Sequence, residues 1–249
     1  MDNYPCVPAW VADPRDRILI AQTPLLPAPT FAPLPPVPLG VREYLGAADG
    51  LYVRTRHHAL SVTAKLADAS MPYGILSSEV RLPGGLIPYE LVREIQRAAL
   101  AHHPKEWAGL VHWSEVEQRY QLTVPRVVSD STGHISYDTR DLDPERLVLN
   151  VHTHGGHPPF FSRTDDESDA AGCYFACVLG FCQSPATLRA CVRLVLDGHA
   201  FAVSRLPWQR ASERAEGLAL SDYSEKIKIR LQSMGKLGTA DATDLSYAE

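Results

Sequence analysis

The stretch NVHTHGGHPPFFSRTDDESD, residues 150–169, overlaps the end of the apolar run 146–151 and sets three histidines and four acidic residues within twenty positions. Residues two apart in a strand share a face. His152 and His154 therefore project side by side from the end of a strand whose other members are Leu147, Val148, Leu149 and Val151. So continuous an apolar run suits a strand covered on both faces. Two imidazoles at a strand end are well set to hold a metal ion, because Zn–N bonds of about 2.0–2.1 Å demand convergent donors. A third donor must come from elsewhere. Asp165 lies beyond the loop GGHPPFF (155–161), which can fold back over the strand end. His157 is nearer in sequence and stays open as an alternative, since three-His zinc sites exist. Thr164-x-x-Glu167 reads as a capping box opening a helix, a rigid place from which to aim a carboxylate.

Outward from this stretch, 249 residues suffice for one domain with extensions or for two small domains. The net charge of −5 and the lack of any Lys/Arg cluster weigh against a nucleic-acid partner. Of five cysteines, Cys173, Cys177, Cys182 and Cys191 lie in apolar segments without CxxC spacing. Buried, reduced thiols are the expectation for them. The first residues, MDNYPCVPAW, have neither the basic nor the apolar region of a signal peptide. No apolar run approaches the ~18 residues of a membrane span. A cytoplasmic protein with no membrane partner is expected.

Along the chain, residues 1–40 hold ten of the twenty prolines, seven of them in 23–40. Proline-dense sequence favours extended polyproline II, so 1–40 is expected to be an extended arm, a spacer or a docking peptide. Residues 41–75 read as a small β-rich region with a hairpin over 50–68. Residues 76–207 read as the main domain and 208–249 as an extension. Pro88 followed by YELVREIQRAALAHH predicts a helix with Leu91, Val92, Ile95, Ala98 and Ala99 on one face, ended at Pro104. Strands are expected at 107–113, 119–129, 134–140 and 146–154. The segment 168–181 should start as a helix and end as a strand, and 187–206 should form a hairpin turning at Asp197-Gly198. A weak helical pattern covers 224–234. The expected class is α/β with a mostly β centre. His57, His58, His102, His103, His112, His134 and His199 are expected at the surface or in the core.

His152-Thr-His154, seven residues, and Ser162-x-x-Asp165 resemble the metal signature of the JAB/MPN (JAMM) zinc metalloproteases. That family also carries a catalytic Glu near a strand start in a Pro-x-Glu context, and Pro104-Lys-Glu106-Trp-Ala-Gly109 is similar to it. The resemblance covers roughly 85–207. It implies the JAB/MPN (cytidine-deaminase-like) fold, a mixed central β-sheet or partial barrel flanked by helices. It also implies one Zn2+ held by His152, His154 and Asp165, with Glu106 as general acid/base and Ser162 as oxyanion donor. The short segments between these residues resemble prokaryotic JAB proteins, including that of the plasmid-associated PRTRC system.

What the resemblance implies for activity is a zinc-dependent isopeptidase or peptidase removing or processing a ubiquitin-like protein at its C-terminal tail. Its partners would be that ubiquitin-like protein or its conjugates, with E1-like (ThiF-type) and E2-like proteins of the same system. The alternatives are a zinc hydrolase of small amide or sulfur-carrier-tail substrates, a non-catalytic MPN scaffold, or a metal-dependent nuclease like the related RadC group. Scaffold relatives have usually lost ligands, whereas all five positions are kept here.

Overall fold

A computed structural model describes residues 11–130, 135–138, 140, 142–210, 227–232 and 243–244. Cys6 and His134 lie outside the described residues. The chain forms two compact units, one from residues up to His57 together with Ser61–Val80, the other from His58–Leu60 and residues from Arg81 onward. No helix among the described residues is long and apolar enough to cross a membrane.

In the first unit, helix α1 (Pro14–Gln22) starts from Asp13, whose carboxylate accepts from the Arg15 N–H, with proline at the first helical position. Strand β1 (Leu25–Pro27) then pairs in parallel with β2 (Arg42–Ala47), which continues antiparallel into β3 (Gly50–Arg56) and β4 (Ser61–Asp68). The expected hairpin over 50–68 is thus the β3–β4 pair. Over the described residues 11–40 the expected extended arm is corrected, and residues 1–10 lie outside the described residues. Ala28 is buried with Leu45, Ala47 and Tyr52, and Leu34 packs against this cluster. The Arg54 guanidinium donates to the Pro35 carbonyl at 2.6 Å. Proline restricts φ and removes donors, yet the non-proline residues between the prolines remain free to pair and to bury. Cap and hydrophobic contacts override the composition.

The second unit is mixed α/β with few helices. After strand β5 (Glu79–Arg81), whose first two residues belong to the first unit, comes helix α2 (Tyr89–His102). The main sheet contains β6 (Ala108–Ser114), β7 (Arg119–Thr123), β10 (Leu147–Thr153), β11 (Cys173–Gly180), β12 (Arg189–Leu196), β13 (His199–Val203) and β14 (Ile227–Gln232), in the order β7-β6-β10-β11-β12-β13-β14. Only the β10–β11 pair is parallel in this run. The expected strand over 119–129 breaks at Val124-Pro125 into β7 and β8 (Arg126–Asp130), and β8 pairs with β9 (Ile135–Asp138) as a separate ribbon. Proline lacks the N–H that a continued ladder would need. The Asp197-Gly198 turn has positive φ at both residues, 48° and 77°, as the tight hairpin turn requires. A two-residue strand, β15 (Thr243–Asp244), pairs with the start of β12.

Within the helical reading of 224–234, the described residues 227–232 form strand β14 instead, and the rest of that segment lies outside the described residues. Ile227, Ile229 and Leu231 alternate with polar residues, and a period of two outweighs a weak helical pattern.

Helix α2 lies against one face of the sheet. Its Val92 and Ile95 line one cleft with Leu149, Val151, Cys177 and Leu179. Each such side chain, fully buried, contributes about 1.5–3 kcal/mol. The four described cysteines are free and buried, and the thiols of Cys177 and Cys182 are pushed upward by burial. With α2 occupying this face, Asn150 and His152 of β10 turn to the other one.

Candidate metal centre

β10 brings the two histidines together. Their rings lie 5.2 Å apart, and the Nε2 atoms face each other at 3.3 Å. His154 Nδ1 lies 3.3 Å from the Pro158 carbonyl. A carbonyl only accepts, so Nδ1 carries the proton and Nε2 offers its lone pair. Burial lowers the pKa of both imidazoles, which keeps them neutral and competent as donors.

The third donor arrives on helix α3 (Arg163–Ser168). Ser162 is its N-cap. Its Oγ accepts from the Asp165 N–H at 3.2 Å, while its N–H and its hydroxyl both donate to Asp165 Oδ2 at 2.6 Å. This pins the carboxylate with Oδ1 turned to His152 Nε2, 3.4 Å away. The capping box therefore starts at Ser162, two residues before the expected Thr164. Serine three residues ahead of an acid that can reach back is the better cap, because both reciprocal bonds close.

The loop between the two elements is fixed to the end of β11. His154 N–H donates to the Leu179 carbonyl, Phe181 N–H to that of His157, and Cys182 N–H to that of Gly155. Gly180 is tightly enclosed there: a Cβ on it would stand 2.4 Å from Pro159 N and 2.5 Å from the His157 carbonyl oxygen. His157 itself is exposed and outside the donor cluster.

Glu106 reaches the site because β6 runs antiparallel to β10, so the start of one lies beside the end of the other. Just beyond the paired strands, the Trp107 N–H donates to Thr153 Oγ1 at 2.8 Å and the Thr153 N–H donates back to the Trp107 carbonyl at 2.9 Å. Glu106 is 7% exposed. Burial first, and the negative charge of Asp165 second, raise its pKa to about 7. Glu115 and Glu117 lie past the opposite end of β6, where they pair with His58 and Arg119.

His152, His154 and Asp165 each offer an atom within 4.8 Å of the others. Tetrahedral zinc with bonds of about 2.0–2.1 Å separates its donors by about 3.3–3.4 Å. The Nε2–Nε2 and Nε2–Oδ1 separations of 3.3 and 3.4 Å match that edge length. Two neutral imidazoles and one carboxylate also suit zinc chemically, so the residues fit the ion. Glu106, Ser162 and the three donors line a cavity of about 920 Å3 on the sheet face opposite α2.

Sequence reasoning missed Arg193. It is fully buried on β12, and its guanidinium bonds to Asp166 within α3 and to Asp169 at the C-terminal end of that helix. An arginine inside the apolar strand RACVRLVL was the available signal.

Residues 88–194 match the family described as prokaryotic homologs of the JAB domain. Residues 13–83 match a domain of unknown function, DUF2016. No curated protein matches the chain.

Proposed function

With residues 88–194 forming a domain of the prokaryotic JAB family, we propose that this protein is a zinc-dependent isopeptidase or peptidase that removes or processes a ubiquitin-like protein at its C-terminal tail. One observation carries the reading. A carboxyl group whose pKa is raised to about 7 shares a cavity wall with three clustered donors, two of whose separations match a tetrahedral zinc edge. A scaffold without chemistry has no use for a buried, proton-accepting carboxyl at that point. The reading implies the JAB/MPN, cytidine-deaminase-like arrangement of sheet and helices.

His152, His154 and Asp165 would hold the ion and leave one position open. Bound zinc supplies an activated water, with its pKa lowered from 15.7 toward ~7. Glu106 accepts the proton of the attacking water and hands it to the departing amine, which must be protonated to leave. The water oxygen forms the new C–O bond first, placing negative charge on the carbonyl oxygen. The C–N bond breaks afterwards as the amine takes the proton from Glu106, so amide and water give acid and amine. Ser162 orients Asp165 in the resting arrangement. Its hydroxyl serves as the oxyanion donor once it turns from Asp165 Oδ2 to the substrate. E1-like and E2-like proteins are the expected partners of such a hydrolase.

The cavity volume of about 920 Å3 also suits a small amide, which keeps a second reading in view. Incubation of the zinc-loaded protein with a ubiquitin-like protein fused through its C-terminus to a reporter decides between them. Release of the reporter, abolished by chelation, supports tail processing. Release from short acyl amides but not from the fusion supports the small-substrate reading. No release from either refutes both.

A further inference from the structure

Arg193 is fully enclosed, with 0% of its surface exposed. In register it neighbours Ala176 on β11, and Ala176 neighbours Asn150 on β10, so its side chain leaves the sheet on the face that carries His152. From there Nη1 donates to Asp166 Oδ1 at 2.6 Å, and Nη2 and Nε donate to Asp169 Oδ2 at 2.6 and 3.2 Å. The guanidinium carbon stands 3.9 Å over the Phe161 ring. The Tyr174 hydroxyl donates to the other oxygen of Asp169 at 2.6 Å. These contacts bracket one short segment. Phe161 precedes Ser162, Asp166 follows Asp165, and Asp169 closes the helix.

We propose that Arg193 is a positioning residue for the metal centre: its guanidinium locks helix α3 to the sheet and so aims Asp165 at His152 and His154. The inference rests on reading those three residues as zinc ligands. Helix α3 has six residues and buries none of them. So short a helix has no stability of its own in water. The capping box sets the shape of its first turn but ties it to nothing beyond itself. The Tyr174 hydroxyl ties only Asp169 at the helix end, whereas the planar fork of Arg193 spans Asp166 and Asp169 at once and is the charged link from helix to sheet. A lysine ammonium is a single point charge and does not reproduce that span. A buried arginine facing two acids is also a matched set: removal of the cation leaves Asp165, Asp166 and Asp169 crowded on one turn without an internal counter-charge.

The test uses the full chain, stripped of metal and titrated with zinc against a fluorescent chelator, for wild type, Arg193→Lys, Arg193→Met and Asp166→Ala. Cobalt(II) absorption spectra report ligand geometry, and circular dichroism reports the fold. Folded Arg193→Lys and Arg193→Met are expected to bind zinc about 10–100-fold more weakly, the usual cost of losing a residue that orients a ligand. Their cobalt spectra should change as well. Asp166→Ala, which keeps the Asp169 bonds, should weaken zinc by a smaller factor. Either arginine variant, folded and with wild-type zinc affinity and cobalt spectrum, overturns the inference. If neither folds, Asp166→Ala decides, and unchanged affinity there overturns it. Wild-type protein that takes up no zinc refutes the ligand reading itself. Zinc-binding wild type with unaffected variants removes Arg193 alone.

Discussion

Trp107 and Thr153 hold one another through a reciprocal pair of hydrogen bonds, Trp107 N–H to Thr153 Oγ1 at 2.8 Å and Thr153 N–H to the Trp107 carbonyl at 2.9 Å. The two are 46 residues apart in sequence. Thr153 stands between the two histidines, and Trp107 is next to Glu106. This clasp therefore sets the distance between Glu106 and the two histidines. Thr153 is 0% exposed, and a valine of the same shape would leave the Trp107 N–H without its acceptor. Thr153→Val is expected to cost about 1–3 kcal/mol, the price of an unsatisfied buried donor. Hydrolysis should fall by up to about 10²-fold as Glu106 drifts. Thermal unfolding and turnover of the variant check this, and unchanged values in both would dismiss the clasp.

Glu106→Gln should keep fold and zinc while slowing hydrolysis by roughly 10²–10⁴-fold, the contribution of a positioned general base. Glu115→Gln and Glu117→Gln should leave the rate unchanged, since both residues are engaged past the other end of β6. A near-normal rate for Glu106→Gln removes it from the mechanism.

The same residue gives a pH signature in metal-free protein. The folded pKa of Glu106 is raised from 4.5 to about 7, so the folded state binds its proton more tightly than the unfolded state does. Its contribution is full below pH 4.5 and is lost as pH rises to about 7. Glutamine cannot ionise. The melting temperature of Glu106→Gln relative to wild type should therefore rise across that window and level off above it. A difference that stays flat with pH would contradict the raised pKa.

Gly180→Ala should displace the loop that carries Pro158 and Pro159. A Cβ there would stand 2.4 Å from Pro159 N, closer than real contacts allow. The shift would pull the Pro158 carbonyl from His154 Nδ1 and weaken the tautomer control on that ligand. A reduced zinc affinity, with β-sheet content intact by circular dichroism, is the expected result. Wild-type affinity would mean the loop accommodates the methyl group.

Removal of residues before Gly40 should destabilise the first unit. It strips away Ala28 and Val37, which are 2% and 7% exposed, and the Pro35 carbonyl that accepts from buried Arg54. Loss of protection in backbone hydrogen exchange over β2 and β3 is the expected readout. Full protection would restore the view of 1–40 as a detachable arm.

Much of this site was legible in sequence because its donors are local. His152 and His154 lie two apart on one strand, and Asp165 follows within one loop and a cap. Helix α2 was visible from its apolar face and the hairpin from Asp197-Gly198. What stayed hidden depends on long-range pairing. The clasp at Trp107 needs the antiparallel register of β6 on β10, and the Arg193 anchor needs β12 to lie two strands from His152. Neither spacing appears in a linear pattern. The proline count misled for 14–28 because a cap at Asp13 and the burial of Ala28 decide those residues.

Metal analysis of purified wild type beside a His152→Ala/His154→Ala variant tests the central claim most directly. The account predicts one zinc per chain in the wild type and none in the variant, with both chains folded. Equal zinc in the two proteins would contradict it.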